Sequence, residues 1–252
     1  MSKAVEIRGF SYKYPVGTAA LSDIIISIEH GRKVALIGPN GAGKSTLLLA
    51  MAGFIKGDGQ VFIDGLEVRK GNLKRIRRAI GCCLENPDDQ LFMPVLFDDV
   101  AFGPLNIGLS AEEVKTCVED ALRTVGLAQM ADKAPHHLSA GQKRAAAIAT
   151  VLSMSPKIIT LDEPDGSLDP ANRNNLIRLL GGLRQSLIIA TCNMDFAFEL
   201  AEEAVLLDDG RIIAAGNIGE IMLDEKLMIA HGLETPSRAR RILNQCYFFR
   251  WT

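Results

Sequence analysis

An α/β fold built on a parallel sheet is what this sequence predicts, and three observations predict it. Short Val- and Ile-rich runs alternate with apolar residues at helical spacing. A glycine-dense turn joins one such run directly to a helix. The strand–helix–strand order then requires crossover connections, which place neighbouring strands in parallel. A length of 252 residues, 48% of them hydrophobic, supplies a sizeable core for one large domain or two small ones.

Residues 4–8, 24–29, 33–37 and 60–63 read as strands, the last bracketed by the tight-turn pairs Asp58-Gly59 and Asp64-Gly65. After Ile37 come the glycine turn and a helix, with Leu47, Leu48, Met51, Ala52 and Ile55 at helical spacing. Residues 86–152 read as mainly helical. Ser110 with Glu113 is a capping-box pair opening a helix over 111–125, and Ser139 caps another over 141–153. Alternation then returns: strand 157–161, helix 171–180, strand 187–190, helix 195–201. A hairpin follows, with 205–207 and 212–214 flanking Asp208-Asp209-Gly210. The sequence holds no internal repeat and no low-complexity linker.

Composition excludes several classes. Lys plus Arg is 28 and Asp plus Glu is 30, a net charge of -2, which argues against a protein held on nucleic acid by overall charge. No apolar run reaches the ~18 residues of a membrane span. The longest candidate, 145–154, is interrupted by Thr150 and Ser153. The start, MSKAVEIRGF, lacks a signal-peptide core, so a membrane role is expected from the cytoplasmic side and through partners. Five cysteines (Cys82, Cys83, Cys117, Cys192 and Cys246) form no CxxC pair and no zinc spacing, and read as reduced thiols.

The chemistry starts at Gly38-Pro39-Asn40-Gly41-Ala42-Gly43-Lys44-Ser45-Thr46, which fits GxxxxGK[ST] and lies between an apolar strand and a helix. Glycines let backbone N–H groups turn inward around phosphate oxygens, and the helix start adds a favourable dipole. Lys44 is a point charge for the β- and γ-phosphates, and Ser45 is a ligand for Mg²⁺. The strand over 157–161 runs into Asp162 and Glu163, two acids at the carboxyl end, where α/β sheets bind ligands. Asp162 would hold the metal directly or through water, and Glu163 would accept a proton from the attacking water.

Leu138-Ser139-Ala140-Gly141-Gln142, just before a helix, resembles the signature of ATP-binding cassette ATPases, and the resemblance covers about residues 3–220 in the family's order. It implies a P-loop NTPase (RecA-like) parallel-sheet core, an N-terminal antiparallel β layer and an inserted helical subdomain at about 86–152. The cassette would span 1–220, with a short C-terminal extension at 221–252. The family implies ATP and Mg²⁺ as ligands. Tyr14 resembles the aromatic that stacks on adenine, with Tyr12 as second choice. Asp169, in Ser167-Leu168-Asp169, resembles the loop by which two cassettes face each other. In such a dimer Ser139, Ala140, Gly141 and Gln142 complete the partner's nucleotide site. A narrower match, at residues 86–92, 99–104 and 105–109, is similar to the ATPases of energy-coupling-factor importers of cobalt, nickel or vitamins. It implies a second cassette, identical or not, a membrane-embedded coupling subunit contacted through 86–106, a substrate-binding membrane subunit, and a place on the cytoplasmic face of the membrane, with no nucleic-acid partner.

Four positions depart from the family. Cys192 follows Thr191 where His is usual, and a thiol is a poor hydrogen-bond donor. Glu85 replaces the Gln that ligates the metal. Ala140 replaces a Gly, which is expected to restrict the signature loop, and Gly166 stands where Ser is usual. With Cys192 and Glu85 beside Glu163, two outcomes stay open: slow hydrolysis at this chain's own site, or a site rebuilt around Cys192. Two other functions also stay open, an ATP-gated regulatory subunit beside a competent partner and a soluble cassette ATPase outside transport. The cluster Arg69, Lys70, Lys74, Arg75, Arg77 and Arg78 reads as a solvated helix face or as a contact with lipid headgroups or an acidic loop. The tail aromatics Tyr247, Phe248, Phe249 and Trp251 either fold back or cover a partner surface.

Overall fold

The computed structural model describes residues 3–166 and 168–237. Ser167 of the facing loop, Cys246, and the tail aromatics Tyr247, Phe248, Phe249 and Trp251 lie outside the described residues.

Two sheets carry the chain. The first is antiparallel, with β2 (Ala19–Glu29), β1 (Lys3–Lys13), β4 (Asp58–Ile63) and β5 (Leu66–Glu67) side by side in that order. The second runs β10 (Arg211–Asn217), β9 (Glu203–Asp208), β3 (Lys33–Ile37), β8 (Ser186–Ala190), β7 (Ile158–Asp162), β6 (Ile80–Cys83). From β9 to β6 its strands are parallel, and β10 turns back on β9 through Asp209 and Gly210, both at positive φ. Val34 to Ile37 of β3 are no more than 1% exposed, the continuous apolar run of a strand covered on both faces. The predicted parallel core and antiparallel layer are both present.

The helix α1 (Lys44–Met51) joins the sheets. Its Leu47 and Met51, both fully buried, share one core with Ile7 and Phe10 of the antiparallel sheet and Ile188 and Leu207 of the parallel one. The middle of the chain supplies α3 (Leu96–Asn106), α4 (Ala111–Thr124) and α5 (Ala140–Leu152), whose apolar faces pack together around Val100, Val118 and Ala146. The Ala-rich α5 has two apolar faces. Ala146 and Ala149 belong to this helical cluster, whereas Ile148 and Val151 pack under the sheet with Leu176 of α6 (Pro170–Gly182) and Phe196 of α7 (Met194–Leu200).

Some elements lay outside the sequence reading. β6 carries Gly81, where a Cβ would stand 2.3 Å from Val151, so the glycine that weakens the strand pattern is what lets α5 approach. β1 runs past Arg8 to Lys13 because Gly9, at φ +58°, absorbs a register shift against β2. The short helix α2 (Leu73–Ala79) points Lys74, Arg75, Arg77 and Arg78 outward and buries Ile76, an arrangement compatible with both readings of the basic cluster. α8 (Ile218–Leu223) and α9 (Glu225–Ala230) cover β9 with Met222 and Met228.

Candidate functional site

The nine residues after β3 form a cradle because of where the chain passes. At Gly38 a Cβ would stand 2.0 Å from the Leu207 carbonyl oxygen, and at Gly43 2.6 Å from that of Ala20. Gly41, at φ +82°, has open space around it and is needed for its conformation alone. Gly43 precedes α1 without a side-chain cap, so the first-turn amides stay open to an anion. Lys44, 6% exposed, donates from Nζ to the carbonyls of Gly38 (2.8 Å) and Pro39 (3.1 Å). The Tyr14 hydroxyl lies 2.9 Å from Thr46 Oγ1, and its ring meets Tyr12 edge-on at 5.2 Å. Tyr12 packs against the core and Tyr14 is 40% exposed, so Tyr14 is the one with a face to offer.

β7 delivers Asp162 beside α1. Burial raises the Asp162 carboxyl above its ordinary range, and a hydrogen bond from Ser45 partly offsets this. Its Oδ1 is buried without a hydrogen-bond partner. A hydroxyl and a carboxylate oxygen lacking a partner form a hard-oxygen set that fits Mg²⁺. Glu85 is exposed, and its charge opposes ionisation of Asp162. Among the described residues no three His, Cys, Asp or Glu side chains converge as a metal cage, as suits an ion that keeps waters and phosphate oxygens in its shell.

Glu163 sits at φ +41°, outside the usual range for a side-chain-bearing residue. Its N–H donates to Ala190 O (2.8 Å), its carboxylate accepts the Cys192 N–H at Oε2 (3.1 Å), and Oε1 is 3.8 Å from Lys44 Nζ. Burial raises its pKa, and the Cys192 amide and Lys44 pull it back. The Cys192 thiol is raised too, first by burial and then by the Glu163 charge, so it stays protonated at neutral pH.

The start of α5 is a complete capping box. Ser139 Oγ accepts the Gln142 N–H (3.3 Å), and Gln142 Oε1 accepts the Ser139 N–H (2.9 Å). The expected effect of Ala140 on a loop is corrected here: Ala140 is the first residue of the helix, where a methyl is readily accepted. The demanding position is Gly141, where a Cβ would stand 2.7 Å from the Asn172 side chain. Asn172 is itself held by Asp169, which accepts from its N (2.9 Å) and Nδ2 (2.6 Å) and caps α6. Gly166 is exposed and donates its N–H to Glu163 O.

A cleft of about 410 Å³ is lined by Glu85, Ala140, Lys143, Arg144 and Glu163, and no cradle glycine enters its lining. Arg144 and Asp165 were not singled out from sequence, and Gln90 was read only as part of the 86–92 match. Arg144, 5% exposed, donates to the carbonyls of Leu84 (2.9 Å), Glu85 (2.7 Å) and Glu163 (3.3 Å), and burial lowers its pKa. Gln90 spans Leu84 N, Ala147 O and Thr150 Oγ1. Asp165 is buried against the loop that carries Cys192. Their signal is spatial, because apart from Leu84 N on Gln90 these contacts join segments 19 or more residues apart along the chain.

The fold and the cradle define an α/β nucleotide-binding cassette. Residues 21–166 match the ABC transporter family, and the chain belongs to that family. It is 44% identical to a putative ABC transporter ATP-binding protein of Streptomyces coelicolor, over 92% of this chain and 90% of that one. It is 42% identical to the energy-coupling factor transporter ATP-binding protein EcfA of Methanothermobacter thermautotrophicus, over 96% of this chain and 79% of the relative. Among solved structures it is similar to CbiO1 of Clostridium perfringens, part of the ABC transporter complex CbiONQ. There the TM-score is 0.82 at 32% identity, covering 96% of this chain and 99% of the other.

Proposed function

We propose that this chain is the ATP-binding and hydrolysing subunit of an energy-coupling-factor importer for a metal ion such as cobalt or nickel, or for a vitamin. One observation carries the hydrolytic part: a half-buried, pKa-raised Glu163 lies 3.8 Å from the cradle's Lys44, next to Asp162 with its oxygen lacking a partner. Lys44, Ser45, Thr46 and the amides from Gly38 to Gly43 bind the phosphates, and Tyr14 meets the adenine. In hydrolysis the water oxygen bonds to the γ-phosphorus, the bond from that phosphorus to the bridging oxygen breaks, and ADP leaves. Glu163 takes or orients the water's proton. Held by Ser45, Asp162 and Glu85, Mg²⁺ would neutralise phosphate charge.

The cassette spans about 1–220 with the helical part at 86–152, and 221–252 is an extension. The motif resemblance supports a site completed by a second cassette, in which Ser139, Ala140, Gly141 and Gln142, with Asp169, act on the facing nucleotide. ATP favours the closed pair, and hydrolysis releases it. Among the described residues no helix is long and apolar enough to cross a membrane, so transport needs membrane subunits for coupling and for the solute. A groove of about 730 Å³, lined by the exposed Phe54, Phe92 and Phe102, supports docking of the coupling subunit there, on the cytoplasmic face.

Calorimetry with Mg²⁺ and transport by the intact assembly test this together. Lys44→Ala abolishes both ATP uptake and transport. Undiminished transport in that variant defeats the proposal. A second reading, slow turnover as a regulatory cassette, is favoured by the protonated Cys192 thiol. Cys192→His then raises turnover by about tenfold or more, as gain of a transition-state donor does. An unchanged rate shows a site rebuilt around cysteine.

A further inference from the structure

We propose that Asp165 is a positioning residue that fixes the main chain of Cys192 so that its amide is held on Glu163. The proposal rests on ATP hydrolysis at this site and adds to it the way the acid is oriented.

Asp165 follows Glu163 by two residues and is 7% exposed. Its turn is closed by Gly166 N–H on Glu163 O (3.1 Å) and Leu168 N–H on Asp165 O (3.3 Å). The two carboxylate oxygens go to the two neighbours of Cys192. Thr191, fully buried, donates its hydroxyl to Oδ1 (2.9 Å), and Asn193 donates Nδ2 to Oδ2 (2.8 Å). Thr191 Oγ1 in turn accepts the Asn193 N–H (3.0 Å), and Asn193 Oδ1 accepts the Phe196 N–H (3.1 Å), anchoring the loop to α7.

The consequence falls on the residue between them. A backbone N–H has no rotor of its own, so its direction is set by the flanking residues. With Thr191 and Asn193 gripped by one carboxylate, the Cys192 N–H points at Glu163 Oε2, 3.1 Å away. The thiol is a poor donor, so this amide is the strong hydrogen bond that Cys192 brings to the acid. Neutral donors on both oxygens also satisfy the buried carboxylate, as charge-assisted bonds do. Asp165 touches neither nucleotide nor water in this scheme. It acts through the loop, and through the loop on Glu163.

The test uses the full-length chain with the cassette it copurifies with, comparing Asp165→Ala, Thr191→Val, the double variant and Thr191→Ser. In Asp165→Ala, kcat falls about tenfold to a hundredfold, the scale of misplacing a reacting group, while KM for ATP holds. Amide exchange at Cys192 and Asn193 accelerates about tenfold as the local opening energy drops. The double variant is within about twofold of Asp165→Ala, since both substitutions remove one linkage. Thr191→Ser, which keeps the hydroxyl, behaves as wild type in rate and exchange.

A folded Asp165→Ala with unchanged kcat, or with unchanged exchange at Cys192, overturns the proposal. So does a loss confined to KM or to melting temperature, the mark of a purely structural clamp. If Asp165→Ala does not fold, the Thr191→Val and Thr191→Ser pair decides by the same readouts. A wild-type chain that binds ATP without turnover overturns both this and the hydrolytic assignment, whereas turnover indifferent to Asp165 removes the bracket alone.

Discussion

Two sides of one site are made differently. In the cradle, Gly38 passes so near the Leu207 carbonyl that a Cβ would stand 2.0 Å away, and the residues concerned are consecutive along the chain. Across the site, Glu163 is held by a Cys192 amide 29 residues distant, Arg144 reaches the carbonyls of Glu85 and Glu163, and Asp165 grips Thr191 and Asn193. The first side is set by backbone sterics, above all at Gly38 and Gly43, where a Cβ would meet a carbonyl oxygen. The second is set by side chains that can be exchanged if their partners change with them. The four positions at which the motif resemblance marks a departure, Glu85, Ala140, Gly166 and Cys192, all lie outside the nine cradle residues.

The largest effect expected from this contrast is at Gly38. Gly38→Ala forces the chain away from Leu207 and costs about 3 kcal/mol, the upper end of overpacking in a well-filled interior. ATP binding is lost with it. Gly41→Ala is the control: its φ is positive but nothing lies within 4 Å, so it costs only about 1–2 kcal/mol of left-handed strain. Thermal melts and calorimetry with Mg²⁺ separate them. Equal losses at the two positions would mean that conformation alone, and not the close approach to Leu207, shapes the cradle.

On the other side, Glu163→Gln leaves the geometry in place, because a Gln oxygen still accepts the Cys192 N–H. Turnover falls by about a hundredfold or more, the usual contribution of a general base, with ATP binding retained. Stability moves the other way. Burial raises the Glu163 pKa in the folded chain, so its contribution to stability is full below the ordinary carboxylate range and is lost as pH rises through the raised value. At neutral pH the Gln variant escapes that loss and melts higher than the wild type. On acidification the two curves converge. A Gln variant that melts lower at pH 7 would show the Lys44 attraction outweighing burial.

The same division explains what could be read from sequence. The cradle is legible because nine consecutive residues encode it, and the start of α4 is legible because Ser110 carries its partner Glu113 three residues on; for α5 the sequence showed the Ser139 cap, and the structure adds Gln142 as its return partner. β6 was missed because Gly81 breaks its pattern for the sake of Val151 on a distant helix. Arg144 and Asp165 gave no signal, since an Arg or an Asp reads the same along the sequence whether its partner is water, a carbonyl 60 residues away or a hydroxyl 26 residues away. Ala140 was misread for a related reason: its place in the family motif was visible, and its place one residue inside a helix was not.

The smallest expected effect is the sharpest comparison, because the chain holds the same capping box twice. Ser110 on α4 and Ser139 on α5 each accept the N–H of the third helical residue, whose side chain returns the bond. Helix chemistry alone makes Ser110→Ala and Ser139→Ala equal, each losing about 1 kcal/mol of stability. Only Ser139 adjoins Gly141 and, through Asn172, the Asp169 loop. If that end of α5 serves the nucleotide of a facing cassette, Ser139→Ala also lowers turnover several-fold at saturating ATP, whereas Ser110→Ala leaves it unchanged. Melting curves should place the two variants within about 0.5 kcal/mol of each other, as separate surface caps are. Rates that match as well as the melts do would make the second box a helix cap like the first, and would remove α5 from the partner's site.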